Sequence, residues 1–367
     1  MNSQNFLSRF AGKVVLVTGH TGFKGSWLTA WLKLLGAKVV GIALDPLTEP
    51  SLFSGAKLGD GIVDLRIDIR DCLGLENAIV ATQPDYVFHL AAQALVFQSY
   101  QNPIDTWQTN VMGTLNLLEG LRKLKNPCNA VIITSDKCYE NIEWVWGYRE
   151  TDAMGGIDPY SASKGAAELA IRSYIKSYFS QRPSNIRIAT ARAGNVIGGG
   201  DWSQGRIIPD CVKAWSVNGI VNLRNPHSTR PWQHVLEPLS GYLNLAASLS
   251  ENPNLHGESF NFGPNNKNHS VEDLVKEMSI YWDAVRWENI KDHTANLYEA
   301  GLLRLNCDKA LYYFNWFATM GFEDTVKMTA EWYRAYYQNH EKILDFTNVQ
   351  IESYTALAKK SGLSWAQ

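Results

Sequence analysis

The chain begins as an alternation of short apolar runs and longer amphipathic stretches. Residues 14–18, 39–44, 63–67, 86–90, 130–135 and 186–192 are short, β-branched and bounded by Gly, Pro or Asp, a pattern that predicts strands. Between them, residues 26–35, 73–81, 103–124 and 161–179 carry helix-like patterns, with Gly36 placed to end the first. Strands alternating with helices over this length predict an α/β fold, a Rossmann-like doubly wound parallel sheet covered on both faces. Beyond residue 192 the pattern turns irregular, and Gly198-Gly199-Gly200, Asn225-Pro226 and Gly263-Pro264 mark loops. Residues 234–249, 270–282 and 323–340 read as helices, and 258–262 as a strand where the chain returns to the sheet. The expected division is therefore a Rossmann domain of residues 1–191 and 235–263, and a smaller, discontinuous C-terminal substrate lobe of residues 192–234 and 264–367.

Composition narrows the classes. The 367 residues are 45% hydrophobic and 19% charged, enough for a large core. A formal net charge of −2 offers no bulk attraction to nucleic acid or to an anionic membrane, so neither is an expected partner. The five cysteines, Cys72, Cys128, Cys138, Cys211 and Cys307, are scattered with no CxxC pair. Neither a disulfide scaffold nor a metal site is expected, and a reducing compartment fits. The start, MNSQNFLSRFAGK, is too polar for a secretory signal, and no apolar run reaches the roughly 20 residues of a membrane span. The expected location is cytoplasmic.

The first chemical signal follows the first strand. Gly19-His20-Thr21-Gly22-Phe23-Lys24-Gly25 has the GxxGxxG spacing between a strand and a helix. Glycine lets the chain turn tightly and lets its backbone approach a pyrophosphate, while the helix N-terminus offers free N–H donors. The second strand leads to Asp45, placed as a ribose-binding acid; a carboxylate there repels a 2′-phosphate and favours NAD over NADP. Lys24 is a candidate phosphate contact. Asp68, with Ile69 beside it, sits where the third strand ends and is a candidate acceptor for the adenine amine. His20 reads as a loop residue and His89 as a packed strand histidine.

The second signal is Tyr160-Ser-Ala-Ser-Lys164, a phenol and an amine four residues apart, hence on one helix face. The lysine charge is expected to lower the tyrosine pKa and favour a phenolate that takes a hydroxyl proton as hydride leaves the same carbon. The fifth strand runs into Ser135-Asp136-Lys137, at the strand end where ligands sit in this architecture. Ser135 is placed to bond the reacting hydroxyl, and Asp136 and Lys137 add two proton-transfer groups.

TGHTGFKG, HLAAQ (89–93), TN (109–110), TSDKCY (134–139), YSASK (160–164) and RAGNVIGGGDW (192–202) resemble the extended short-chain dehydrogenase/reductases that act on nucleotide sugars, over nearly the whole chain. TSDKCYEN followed by WVWGYRE is most similar to the CDP-glucose branch of the 4,6-dehydratases. The dTDP-glucose branch carries Thr-Asp-Glu where this chain has Ser135-Asp136-Lys137. The resemblance implies NAD as cofactor, held also by Leu90, Ala91, Ala92, Thr109, Tyr160 and Lys164. It implies CDP-glucose as substrate: oxidation at carbon 4, loss of water across carbons 5 and 6 with Asp136 as acid, and hydride return to carbon 6. Lys137 occupies the place of the family's glutamate base, so it acts either as the carbon-5 base or as an electrostatic stabiliser of the enolate. Arg230 and Asn195 match the family's diphosphate-binding residues. Arg206, Arg224 and Arg304 are further clamp candidates, and Gln93 is a candidate for the sugar. Similar enzymes pair as homodimers, or as homotetramers, through the helices at 103–124 and 161–179, and serve deoxysugar synthesis for bacterial surface polysaccharide. A dehydratase of another nucleotide-linked hexose, a nucleotide-sugar 4-epimerase and a non-catalytic NAD-binding regulator are the competing readings. Asp136-Lys137 weighs against the epimerase, and the intact Tyr160–Lys164 pair weighs against the regulator.

Overall fold

In a computed structural model, which describes residues 6–180, 185–223, 225–264, 268–282, 285–289 and 302–367, the centre is a seven-stranded parallel sheet. Its strands are β1 (Val14–Thr18), β2 (Lys38–Ala43), β3 (Val63–Arg66), β4 (Tyr86–His89), β5 (Cys128–Ile133), β6 (Ile186–Ala193) and β7 (Ser259–Phe262), in the spatial order 3-2-1-4-5-6-7. Such an order reverses direction between β1 and β4, and that is where a doubly wound sheet opens a crevice at its strand C-termini. Thr18 at the end of β1 lies beside His89 at the end of β4.

Strand alternation sends side chains to two apolar layers. Leu16, Val87, Ala130, Ile132 and Ile188 meet α2 (Cys72–Thr82), α4 (Gly113–Arg122) and α5 (Pro159–Tyr174). Val15, Val17, Phe88, Val131 and Ala191 face the other way. There α1 (Phe23–Leu34) supplies Trp27, Leu28 and Trp31, and α7 (Leu236–Glu251) supplies Leu239 and Leu243. The second layer continues without a break into the C-terminal helices α9 (Phe322–Gln338) and α10 (Ile343–Lys360).

The expected strands and helices appear with end shifts of one to a few residues. α1 starts earlier than its apolar period suggests, because the glycine loop itself forms its first turn, and Gly36 at φ +74° closes it. β7 does return to the sheet, parallel to β6. The stretch read as one helix over 103–124 is α3 (Pro103–Trp107) and α4 joined by a π-helical turn at Gln108–Met112. A second π turn, Ile175–Phe179, ends α5. Five helices escaped the sequence reading: α6 (Ile207–Ser216), α10 (Ile343–Lys360), and short helices at Leu52–Gly55, Val96–Gln101 and Asp308–Phe314. The helix expected over 270–282 is shorter, α8 (Val271–Met278), closed at its start by a Ser270–Asp273 capping box.

Candidate active site

The glycine loop sits at the crevice, and steric limits require its glycines. A Cβ on Gly19, at φ +77°, would lie 2.7 Å from the Ala91 amide nitrogen. One on Gly25 would lie 2.0 Å from the Gly19 carbonyl oxygen. The loop is thus pressed against the Leu90–Ala91 backbone, and the Thr18 hydroxyl accepts from the Ala91 amide at 3.2 Å. No side chain caps α1 at Gly22, so its first amides point into the crevice as free donors. This cradle fits a dinucleotide pyrophosphate. Thr21 donates to the Leu44 carbonyl at 2.9 Å and ties the loop to the end of β2. Asp45 stands just beyond, exposed, 3.2 Å from the Arg66 guanidinium.

Ser135, Asp136, Tyr160 and Lys164 are all buried and gather at the C-terminal rim of β5. Ser135 caps a short 3₁₀ turn, Asp136–Cys138; its hydroxyl accepts from the Lys137 amide at 3.2 Å and donates to Asp136 Oδ1 at 3.0 Å. Asp158 caps α5, with its carboxylate accepting from the Ser161 amide at 2.9 Å, and Pro159 opens the helix. Tyr160 and Lys164 therefore emerge one turn apart, with the ammonium 6.0 Å from the phenol ring centre. Ser135 is the group that does most to hold the Tyr160 phenol down against burial.

Electrostatics follow from burial. Desolvation raises the Asp136 carboxyl above its ordinary value against the pull of Lys137, Ser135 and Lys24. Desolvation also brings Lys164 down to about 8. Tyr160 departs from expectation: burial pushes it up to about 12, and Ser135 and Arg206 hold it down more than Lys164 does. Burial outweighs the nearby lysine, so in the free site the phenol keeps its proton.

The residues proposed for cofactor and substrate divide. Lys24 does not simply face the phosphate cradle. It is brought down to about 8 by burial and is within electrostatic reach of Asp136, Lys164 and Arg206, so it belongs to the catalytic rim. Arg206 pairs with Asp201 at 2.7 Å and senses Tyr160. Asn195 and Arg230 are half-buried beyond β6. Arg304 is exposed, and Arg224 lies outside the described residues. Gln93 needs correction: its amide donates to Thr106 at 2.9 Å and accepts from the Leu95 amide at 2.5 Å, so it braces its own turn instead of reaching a sugar. Asp68 is bound by Arg70 in two-pronged fashion, which holds its carboxyl below the ordinary range. Ile69 packs against Gly113 of α4. Ala92 and Thr109 are half-buried beside the crevice. His20 is buried rather than a free loop residue, bonded to Asp64 at 2.8 Å, and burial lowers its pKa. His89 is packed as expected, between Thr18 and Thr114, and burial brings it down to about 3.

The sequence profile of the GDP-mannose 4,6-dehydratase family matches residues 16–329. The chain belongs to this family. Among its relatives, the CDP-glucose 4,6-dehydratase of Salmonella typhimurium is 46% identical, with 94% of this chain and 96% of that protein aligned. The CDP-paratose 2-epimerase of Salmonella typhi is 27% identical over 73% of this chain and 84% of its own length. Among solved structures, a UDP-glucose 4-epimerase from Stenotrophomonas maltophila with bound NAD has TM-score 0.76 at 21% identity, covering 89% of this chain and 99% of that one. The NAD complex of the Thermus thermophilus UDP-glucose 4-epimerase has TM-score 0.74 at 23% identity, covering 88% and 99%. These two share the fold.

Several residues of this 4,6-dehydratase family member support the site without having been singled out from sequence. Asn110, in the π turn, accepts from the Gln93 amide at 2.8 Å and donates to Ser163 of α5 at 2.9 Å, joining the β4 loop to the catalytic helix. The sequence signal for it is the Thr109-Asn110 pair. Glu168, one turn beyond Lys164, takes Arg192 in a two-pronged bond at 2.8 and 2.9 Å and the Thr134 hydroxyl at 2.6 Å. Its signal was the repeated i, i+4 spacing from Tyr160. The Tyr242 hydroxyl is buried without a hydrogen-bond partner among the described residues, and it senses Asp136 and Tyr160. Nothing in the local sequence marks it.

Proposed function

We propose that the protein removes water from CDP-glucose, giving CDP-4-keto-6-deoxyglucose. The observation that carries this reading is the acid, Asp136, bonded to Ser135 and buried at one rim with Tyr160 and Lys164, in a chain 46% identical to a CDP-glucose 4,6-dehydratase. NAD is the cofactor. Gly19, Thr21, Gly22, Phe23 and Gly25 would hold its pyrophosphate, with Lys24 between that cradle and the catalytic rim, Asp45 near the ribose, and Leu90, Ala91 and Ala92 along the crevice. Bound there, it supplies a hydride acceptor for carbon 4 and a hydride donor for carbon 6.

The chain's own residues do the rest. Tyr160 takes the 4-hydroxyl proton, with Ser135 orienting that hydroxyl. The 4-ketone acidifies the hydrogen on carbon 5. Asp136, whose burial keeps a proton on it more readily than on an ordinary aspartate, protonates the departing 6-hydroxyl. Lys137 stands beside Asp136 as the carbon-5 base or as the cation facing the enolate. Asn195, Arg206 and Arg230 are the diphosphate clamp candidates. Residues 192–234 and 264–367 form the substrate lobe in this reading.

A homodimer is part of the reading. Ile104, Trp107 and Met112 on the α3–α4 segment, with Leu169 and Tyr178 along the α5 segment, expose apolar surface. A cytoplasmic location agrees with five free thiols. No helix among the described residues is long and apolar enough to cross a membrane.

Incubation with CDP-, dTDP-, UDP- and GDP-hexoses, followed by detection of a 4-keto sugar in alkali, tests the reaction and the base together. Product from CDP-glucose alone is expected; inverted sugar without the keto signal would mean an epimerase. Lys137→Ala is expected to bind NAD normally and to lose turnover, and near-normal turnover would remove Lys137 from the chemistry.

A further inference from the structure

The far end of the crevice, beside Asp45, carries a cation that the proposed chemistry does not use. Arg66 is the last residue of β3, in register with the end of β2. Its guanidinium is gripped along all its edges. Nε lies 3.2 Å from Asp45 Oδ1, Nη1 donates to the Leu44 carbonyl at 3.2 Å, and Nη2 donates to Asp64 Oδ2 at 2.9 Å. Its Cζ stands 5.2 Å from the centre of the Phe53 ring, within cation–π range. Asp64 is itself fixed, because its Oδ1 is bonded to His20 Nε2 of the glycine loop at 2.8 Å, and the His20 ring meets Phe53 edge-on.

These partners are unequal. Leu44 offers main chain, Phe53 is a buried ring and Asp64 is tied to the glycine loop, so the three together hold the guanidinium in place. Asp45 is the loose one, with 88% of its side chain exposed. A carboxylate at the end of the second strand of such a fold is placed to accept the ribose hydroxyls of a dinucleotide. Here it also covers the Nε edge of Arg66. Two carboxylates against one guanidinium leave this corner with a net negative charge, and His20, lowered by burial, adds no positive charge at neutral pH. A 2′-phosphate arriving here meets a repelling acid in front of a cation already engaged. Without that acid the guanidinium keeps its other three supports and turns a charged N–H edge towards the ribose. A planar guanidinium with a free edge suits a phosphate.

We propose that Arg66 is a masked 2′-phosphate site, and that the Asp45–Arg66 pair sets the preference for NAD over NADP. This goes beyond repulsion by Asp45, because it assigns the phosphate's receptor to a residue on a different strand. It rests on the dinucleotide lying in the crevice with Asp45 at its ribose.

The test titrates the full-length protein with NAD and with NADP by calorimetry, in the unaltered chain, in Asp45→Ser and in the double variant Asp45→Ser/Arg66→Ala. The unaltered chain should bind NAD more tightly. In Asp45→Ser, NAD should weaken about 10-fold and NADP should tighten about 10–100-fold, the worth of one charge-assisted hydrogen bond. High salt should erode that gain, because the cation is exposed. Adding Arg66→Ala should return NADP to its weak binding and leave NAD where Asp45→Ser put it. A gain in NADP affinity that survives Arg66→Ala would mean another receptor and would overturn the proposal. If NAD weakens and NADP gains nothing, Asp45 stands at the ribose and the masked site falls. If neither affinity moves in Asp45→Ser, the placement of the dinucleotide falls and takes the masked site with it, whatever the enzyme does with CDP-glucose. Both altered positions are exposed, and unchanged unfolding midpoints would show that the fold is retained.

Discussion

The two walls of the crevice are built from opposite materials. The wall that faces a dinucleotide is backbone: glycines at 19, 22 and 25, an uncapped helix start, and the Leu90–Ala91 main chain against which Gly19 rests. The wall that carries the chemistry is side chains: Asp136, Tyr160 and Lys164 are buried, and the half-buried Lys24 lies within electrostatic reach of Asp136 and Lys164. A backbone wall fails by steric exclusion, because an added Cβ has nowhere to go. A side-chain wall fails by losing charge or support, because each buried ion depends on its neighbours. The difference separates binding, which the first wall controls, from turnover, which the second controls.

The largest expected effect lies behind the chemical wall. Glu168 is buried, and burial works to raise its carboxyl, yet Arg192 and two threonine hydroxyls hold it below the ordinary value. Glu168→Gln leaves Arg192 buried without its partner charge and should cost about 3–5 kcal/mol of stability, read by denaturant unfolding. Because the folded pKa is depressed, the pair's contribution is present above the ordinary glutamate range and lost as pH falls through the lowered value. A cost under about 1 kcal/mol would mean that the pair does not support the rim. Tyr160→Phe removes the proton acceptor alone. Turnover should fall by about 10²–10⁴-fold, while NAD affinity, measured by fluorescence titration, stays within a few-fold; equal loss of both would erase the separation.

On the backbone wall, Gly25→Ala forces a Cβ to within 2.0 Å of the Gly19 carbonyl. NAD affinity should drop by roughly 10–100-fold, corresponding to about 1–3 kcal/mol of overpacking. The walls meet at Lys24 and Lys164, both brought down to about 8 by burial. Each is cationic below that pH and loses its charge above it, so affinity for the anionic cofactor should decline as pH rises through about 8. A flat profile from pH 7 to about 9 would show that the backbone alone holds the phosphates. The smallest effect belongs to Gly12→Ala, where φ is +71° but the space is open. It should cost about 1 kcal/mol of stability by backbone strain alone, with NAD binding untouched.

Legibility in the sequence followed the same division. The glycine loop could be read because a backbone site depends on residue spacing along one continuous segment. The rim was partly readable: Tyr160 and Lys164 share a helix, and Ser135-Asp136-Lys137 are adjacent. Gln93 misled because a polar residue at a strand end looks the same whether it faces a ligand or braces its own turn. Lys24 was read as a phosphate contact, yet burial brings it beside Asp136. The buried stripe of α10, Ile343, Thr347, Ile351, Tyr354 and Ala358, is mixed in polarity, because Thr347 is held there by hydrogen bonds to Ile343 and Trp332.

What the linear order of residues determined by itself was local: which stretches alternate as strands, where glycine must stand for the chain to turn, and which pairs fall four apart on a helix. Tertiary structure alone decided who neighbours whom: Glu168 against Arg192, Asn110 against Ser163, Tyr242 within electrostatic reach of Asp136, and Lys24 among the catalytic charges. It also decided the ionisation of those groups. Desolvation depends on everything packed around an atom, and most of that packing comes from residues far away in the chain.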